Sequence, residues 1–113
     1  MKITEIKKYP LSHDGRISLY IEVCTDNGLK GLGEVGVPNM GKTVISAIEH
    51  LEKRLIGEDP WDSEKLWQIM FRGNFFPPGV IYSSAIAAID IALWDLKAKS
   101  VDMPLYKLLG GAV

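Results

Sequence analysis

The segment Ser84–Ser100 places the strongest constraint on the fold, because it predicts a helix that is apolar on two opposite sides. Its apolar residues form two sets, Ile86, Ile89, Leu93 and Leu96 on one face and Ala87, Ile91, Trp94 and Ala98 on the other. A helix of this kind is buried from both sides. The other elements predicted in 113 residues can cover only one side. We therefore expect a piece of a longer polypeptide, with an obligate homo-oligomer as the alternative.

The first third of the chain, residues 1–37, predicts an antiparallel meander of three strands. Ile3–Tyr9 is a short strand that closes at Pro10, and Ile17–Cys24 alternates apolar and polar residues with period two. The pair Asn27-Gly28 then predicts a hairpin that leads into a return strand over Leu29–Val37. Glycines in this last strand predict the close approach of another backbone or side chain: Gly31, Gly33 and Gly36.

The remainder, residues 42–110, predicts helices at Thr43–Ile56, Asp59–Arg72, Ser84–Ser100 and Pro104–Gly110. Asp59 and Pro60 have the pattern of an N-cap followed by proline at the first helical position. Two prolines and a glycine exclude a helix over Asn74–Gly79. A meander followed by a helical bundle is an α+β fold, and we interpret residues 1–113 as one domain.

Composition excludes several classes of function. The 13 basic and 14 acidic residues nearly balance, so the chain lacks the excess of positive charge that is typical of nucleic-acid-binding proteins. No run of about 18 apolar residues predicts a membrane span, and the first residues lack the apolar core of a signal peptide. Cys24 is the only cysteine, which excludes an internal disulfide and a cysteine-based zinc site. We therefore expect a cytoplasmic domain.

The segment Gly36–Thr43 matches the Walker A pattern of phosphate-binding loops between a predicted strand and a predicted helix. In such a loop Lys42 would reach the terminal phosphates and Thr43 would hold magnesium. The predicted meander is antiparallel, however, and the chain has no Walker B aspartate, because Asp90 falls inside a predicted helix. A P-loop nucleotide-binding fragment is therefore an alternative function, not the preferred one.

The remaining chemically active side chains predict no catalytic group. Asp90 and Asp95 lie about 140° apart around a helix, so they do not act as a pair. We expect both to be ion-paired, Asp95 with Lys99 and Asp90 on the side of Lys97. Other side chains are assigned structural or solvated roles: His50 solvated, Cys24 a strand residue, and Trp61, Trp67 and Trp94 in the core.

Two segments resemble the mandelate racemase/muconate lactonizing enzyme family of the enolase superfamily. Ala85–Lys99 followed by Pro104–Gly110 is similar to the N-terminal signature of this family, and Gly31–Glu34 is similar to the G-x-G-E that closes its meander. The order of strands and helices is also the same. The resemblance covers essentially all 113 residues, and it implies an enolase N-terminal domain-like fold.

The resemblance implies a capping domain whose partner is a C-terminal (β/α)7β barrel, which this sequence does not include. In the family, the barrel binds Mg through three acidic ligands and supplies the Lys or His bases that abstract a proton α to a carboxylate. Neither a catalytic residue nor a metal ligand is therefore expected in this chain, and alone it should be inactive. Ser84–Gly110 most resembles the acid-sugar dehydratases, such as galactonate or mannonate dehydratase.

In the family, two loops of the capping domain close over the barrel and contact substrate. By position these are Leu11–Arg16 and Val35–Thr43. Their polar residues are the candidates for binding the hydroxyl groups of a sugar acid: His13, Asp14, Arg16, Asn39 and Lys42. The alternatives are that most of these are solvated turn residues, or that the chain is a non-catalytic oligomerisation module.

Overall fold

Three antiparallel strands in the order β1–β2–β3 form the sheet of this computed structural model, which describes residues 1–113. The strands are β1 (Ile3–His13), β2 (Arg16–Thr25) and β3 (Lys30–Glu34). Because consecutive strands pair with each other, the sheet is the predicted meander. β3 is shorter than predicted and pairs with β2 only over Tyr20–Cys24.

The first hairpin differs from the sequence prediction. β1 does not close at Pro10 but continues to His13, with Pro10 opposite Leu19. A proline is tolerated there because β1 is an edge strand. The predicted Leu11–Arg16 loop is therefore wrong. It is reduced to a turn of Asp14 and Gly15, whose φ angles of 48° and 75° are those of a type I′ hairpin.

Beyond the end of β3, the first hairpin continues as a two-stranded ribbon. Leu11–His13 pair with Arg16–Ser18, and β3 does not pair with either segment. We refer to these residues and their turn as the ribbon. Its apolar side chains are exposed, 52% for Leu11 and 61% for Ile17.

The second hairpin turns at the predicted Asn27-Gly28 pair. Gly28 has a φ of 85°, and its N–H donates to the Thr25 carbonyl at 3.1 Å. The Asn27 side-chain oxygen accepts from the Thr25 hydroxyl at 2.6 Å and from the Leu29 N–H at 3.2 Å. The turn is therefore built from the side chain of Asn27 and the conformational freedom of Gly28.

The helices follow the sheet as predicted, with different starting points. They are α1 (Gly41–Leu55), α2 (Ser63–Arg72), α3 (Val80–Ser100) and α4 (Leu105–Leu108). α3 starts four residues before the predicted Ser84, directly after Gly79. The Asp59 carboxylate accepts from the Trp61 N–H at 2.9 Å, as an N-cap should, but the turn it opens is a 3-10 turn over Pro60–Asp62. None of the helices combines the length and the apolar content needed to cross a membrane.

The core lies between the sheet and the helices, and α3 is at its centre. The predicted first face of α3 is buried at all four positions: Ile86, Ile89, Leu93 and Leu96. Its second face is mixed, because Ala98 is buried and Trp94 half-buried, whereas Ala87 and Ile91 are exposed. Trp61 is 45% exposed, so the expectation that it lies in the core is wrong.

β3 packs directly on the backbone of α3. A Cβ atom added at Gly31 would overlap the Ala92 carbonyl oxygen, and one added at Gly33 would overlap that of Ala88. The predicted close approach is thus confirmed at these two glycines. It is wrong for Gly36, where an added Cβ would meet nothing within 4 Å.

The carboxylate of Asp95 fastens β3 to α3. It accepts from the Leu32 N–H at 2.8 Å and pairs with Lys99 at 2.6 Å, as predicted for the i,i+4 pair. The Lys99 ammonium also donates to the Lys30 carbonyl at 2.8 Å. These contacts satisfy backbone groups of an edge strand, which would otherwise be free to pair with another chain.

Candidate functional site

Two adjoining clefts lie where the ribbon meets the segment between β3 and α1. The Arg16 cleft, of about 670 Å³, is lined by Arg16, Ser18, Glu34 and residues 35–39. The Lys42 cleft, of about 480 Å³, is lined by Lys42 and by apolar side chains of the sheet and α1. Ile17, Val37 and Asn39 line both clefts, so the two form one continuous surface.

Arg16 stands at the start of β2, immediately after the type I′ turn. Its side chain is exposed and takes part in no ion pair or hydrogen bond within the chain. The hairpin register places His13 opposite Arg16, and it places Ser18 two pairs further from the turn on the same face. The guanidinium is therefore available to a ligand in the Arg16 cleft.

Asn39 and Lys42 are positioned by the segment that joins β3 to α1. The Val35 N–H donates to the Leu19 carbonyl at 2.9 Å and fixes the start of this segment on the sheet. Asn39 has a φ of 62°, a left-handed conformation that asparagine adopts more readily than most residues. Lys42 lies in the first turn of α1 and is exposed. Its ammonium makes no ion pair within the chain.

The Walker A match over Gly36–Thr43 lies in a different structural setting from a phosphate-binding loop. It connects β3, an edge strand of an antiparallel sheet, to α1. A phosphate-binding loop follows a strand of a parallel sheet at its carboxyl end. The geometry therefore gives the nucleotide-binding alternative no support beyond the letter match.

His13 and Asp14 lie at the tip of the ribbon and line neither cleft. The His13 Nε2 atom is 3.3 Å from the Asp14 carboxylate, and their side chains are 87% and 88% exposed. The structure thus brings Arg16, Asn39 and Lys42 together and leaves the other two predicted residues outside the clefts.

Sequence reasoning missed two polar residues of the Arg16 cleft, Ser18 and Glu34. Both belong to strands, and the prediction considered loops alone. Glu34 could have been identified as a site residue from its position at the end of β3, directly before the segment that carries Asn39. Because a carboxylate accepts hydrogen bonds, Glu34 complements the donors supplied by Arg16 and Lys42.

A buried lysine on α3 was also missed. Lys97 is 7% exposed, and its ammonium donates to the Ser63 hydroxyl at 2.5 Å. The same nitrogen lies 4.3 Å from the ring centre of Trp94 and 5.7 Å from that of Trp61. A cation between aromatic faces is stabilised by their negative π surfaces. The signal in the sequence was a lysine four residues after Leu93, on the buried face of the helix.

The predicted ion pair of Asp90 is wrong, because this carboxylate has no partner cation in the structure. It makes no ion pair, and the ammonium of Lys97, the lysine expected on its side of the helix, is directed to Ser63 and Trp94. Burial raises the pKa of Asp90 above the ordinary value; Glu64 raises the pKa further, and Lys97 acts in the opposite direction. Asp90 is therefore a half-buried carboxylate without a partner cation.

His50 and Cys24 lie in the surroundings that were predicted for them. His50 is exposed, as expected, with its ring centre 6.1 Å from that of Tyr82. Cys24 is buried in β2, and burial raises the pKa of its thiol, which fits a strand residue better than a nucleophile. No three His, Cys, Asp or Glu residues lie together in a way that could hold a metal ion.

One family model and several curated relatives match this chain. The model of the mandelate racemase/muconate lactonizing enzyme N-terminal domain matches residues 13–110. The chain is 42% identical over 113 residues to a D-galactonate dehydratase of Verminephrobacter eiseniae and 43% identical to one of Ralstonia pickettii. In both cases the alignment covers 100% of this chain and 29% of the relative.

Solved structures have the same fold. An enolase from Agrobacterium radiobacter with bound Na and L-malate superposes with a TM-score of 0.93 at 37% identity, covering 100% of this chain and 29% of that one. An enolase from Pantoea ananatis with bound D-gluconate and Mg gives a TM-score of 0.90 at 35% identity, covering 97% and 27%.

The family resemblance inferred from the sequence is thereby confirmed. The family model covers the ribbon tip at residue 13, all of β2 and β3, and the helices to residue 110. The chain spans about 29% of the length of the curated relatives it matches. This chain belongs to the mandelate racemase/muconate lactonizing enzyme family of the enolase superfamily, and its fold is that of the family's N-terminal domain.

Proposed function

We propose that residues 1–113 are the capping domain that selects the substrate of a sugar-acid dehydratase. The observation that carries this proposal is the convergence of Arg16, Asn39 and Lys42 on two adjoining clefts. Similarity to relatives named D-galactonate dehydratase supports the substrate class, as does the solved relative with bound D-gluconate.

The chemistry of the clefts suits a hydroxylated carboxylate. Arg16 and Lys42 supply charged donors, and a guanidinium can hold a carboxylate through two parallel hydrogen bonds. Asn39 can both donate and accept, while Glu34 and Ser18 can accept from substrate hydroxyl groups. In this proposal these residues bind and orient the substrate and exclude water from it. They transfer no proton to or from its α-carbon.

Proton abstraction α to the carboxylate is assigned to residues outside this chain. The proposed partner is a C-terminal (β/α)7β barrel, since about 71% of each curated relative lies outside the aligned region that makes up 29% of its length. The carboxylates of this chain do not fit a magnesium site, because no three potential ligands lie together. In this proposal the Mg ion is held by the barrel, as the resemblance to the family implies. We further propose that the whole polypeptide forms a homo-oligomer and is located in the cytoplasm. The single, buried cysteine is consistent with a reducing compartment.

The test is steady-state kinetics of the whole polypeptide that carries this domain, with D-galactonate and D-gluconate as substrates. Arg16→Ala and Lys42→Ala should each lower kcat/KM by about 10-fold to 150-fold, because a hydrogen bond to a charged group contributes about 1.5–3 kcal/mol. Lys53→Ala is the matched control, since Lys53 is an exposed lysine near the other end of α1 and lines neither cleft.

Exchange of the α-proton with deuterated solvent separates binding from chemistry. At saturating substrate, both variants should retain exchange, because the base lies outside this chain. Loss of exchange in either variant would mean that the capping domain takes part in the chemistry. If kcat/KM for both substrates stayed within the range of the Lys53→Ala control, the clefts would not be the substrate site.

A further inference from the structure

A third groove lies between α2 and α3, separate from the clefts of Arg16 and Lys42. It has a volume of about 230 Å³ and is lined by Trp67 and Phe71 of α2 and by Ser83, Ala87, Asp90 and Ile91 of α3. We refer to it as the Asp90 groove. Since Asp90 follows Ala87 by three residues and Ser83 by seven, the three side chains share one face of α3.

The carboxylate in this groove has no cation to compensate its charge. Lys97, the nearest lysine of α3, gives its ammonium to Ser63 at 2.5 Å and to the face of Trp94 at 4.3 Å. Burial disfavours the ionised form of Asp90, and Glu64 adds a second negative charge in the neighbourhood. A partly desolvated charge is unfavourable unless it is paired and hydrogen-bonded. The groove therefore favours a positively charged occupant.

The walls of the groove favour arginine over lysine. The rings of Trp67 and Phe71 stack on each other at 4.6 Å with 10° between their planes, which makes one side of the groove flat and apolar. Ala87, which also lines the groove, is a small side chain. A guanidinium is planar and weakly hydrated, stacks on aromatic rings and binds a carboxylate through two hydrogen bonds. A lysine ammonium is a strongly hydrated point charge without this match.

The position of the groove indicates where the arginine comes from. Ile91, which is 48% exposed, lines both the Asp90 groove and the Arg16 cleft. The groove thus opens on the surface that the proposed function assigns to the substrate and the rest of the enzyme, and the present inference rests on that assignment. In the curated relatives, the part outside this domain is the larger one, because the domain spans 29% of their length.

We propose that the Asp90 groove is a docking site within the enzyme, in which Asp90 pairs with an arginine side chain of the C-terminal domain. Asp90 then fixes the capping domain in one orientation over the barrel. This role is distinct from substrate binding by the clefts. It also explains how a partly buried carboxylate without a cation in its own domain is accommodated.

A double-mutant cycle in the whole polypeptide tests the pairing. Asp90→Asn is combined in turn with an arginine-to-methionine substitution at each arginine of the C-terminal domain, and thermal unfolding of every variant is measured. For one arginine, the effects of its substitution and of Asp90→Asn on the unfolding temperature should not add. The double variant should then unfold within about 1 °C of the less stable single variant. Glu49→Gln is the control, since Glu49 is an exposed carboxylate of α1 in no ion pair, and it should be additive with every arginine.

Two results would overturn the proposal. Additivity of Asp90→Asn with every arginine would show that no arginine of the C-terminal domain occupies the groove. A coupling that vanishes when the enzyme is diluted to monomers would assign the arginine to a second copy instead. Because unfolding is measured and turnover is not, a failure of the proposed substrate specificity would leave the outcome of this cycle unaffected.

Discussion

Replacing Asp95 by alanine tests the attachment of β3 to α3. The Asp95 carboxylate is the acceptor for the Leu32 N–H at 2.8 Å and for the Lys99 ammonium at 2.6 Å. The Asp95→Ala variant removes both acceptors at once and leaves the outer edge of β3 bonded only through Lys99 and the Lys30 carbonyl. β3 leads directly into the segment that carries Asn39, so the site depends on this attachment.

The size of the effect follows from the exposure of the two partners. A hydrogen bond to a charged group contributes about 1.5–3 kcal/mol, and the lower value applies because the Asp95 side chain is 25% exposed. The pair with Lys99 is more exposed and adds about 0.5 kcal/mol. Alanine has a higher helix propensity than aspartate, which stabilises the variant by about 0.5 kcal/mol. The net loss should be about 1.5 kcal/mol.

Urea unfolding of the 113-residue chain, followed by circular dichroism, measures this loss. The midpoint for Asp95→Ala should fall by about 1 M urea. Asp95→Asn keeps an acceptor for Leu32 and should lose about half as much. Lys99→Met removes both the exposed pair with Asp95 and the hydrogen bond to the Lys30 carbonyl, and it should lose about 1 kcal/mol. An Asp95→Ala variant that lost less than about 0.5 kcal/mol would refute the reasoning, as would equal losses for alanine and asparagine.

Three further predictions concern the glycines of β3, the unpaired carboxylate and the cysteine. Gly33→Ala should destabilise the chain by more than about 3 kcal/mol through overlap with the backbone of α3. Gly36→Ala, whose added Cβ meets nothing within 4 Å, should have little effect; equal losses in urea unfolding would contradict the close packing of β3. In the isolated chain, Asp90→Asn should raise the free energy of unfolding at neutral pH. Burial raises the pKa of Asp90, so the parent loses stability as the pH rises from the ordinary aspartate value through the raised one, and unfolding curves across this range should converge at acidic pH. Cys24 should react more slowly with a thiol reagent than free cysteine does, because burial raises its pKa. Unfolding in urea should abolish that difference, and a fast reaction of the folded chain would contradict it.

The sequence predicted those parts of the fold that depend on local patterns. Period-two alternation identified β2, and the Asn27-Gly28 pair identified its turn. The two apolar faces of Ser84–Ser100 identified α3 as a buried helix, and the i,i+4 spacing identified Asp95 as the partner of Lys99. Of the predicted site, Arg16, Asn39 and Lys42 meet at the clefts, and their roles there remain predictions.

The errors arose where tertiary structure decides the outcome. Whether Pro10 ends a strand depends on whether that strand lies at an edge of the sheet, which local sequence does not encode. Lys97 was assigned to Asp90 because the two share a helix, but its partner Ser63 lies 34 residues away in the chain. The length of the ribbon also depends on strand pairing, so the position of His13 at its tip, outside both clefts, was not predicted.

The ribbon has a consequence for how substrate affinity is set. An isolated pair of strands is only marginally stable in water, and β3 does not support the ribbon. We therefore expect the arrangement that places Arg16 at its cleft to be one member of an equilibrium. The apparent dissociation constant of the substrate is then the intrinsic constant divided by the population of that arrangement. Leu11 carries no charge, lies exposed on the ribbon and lines neither cleft, so a change at this position would act on this population. A substitution of Leu11 would therefore scale the affinity for every sugar acid by the same factor and leave the preference among them unchanged.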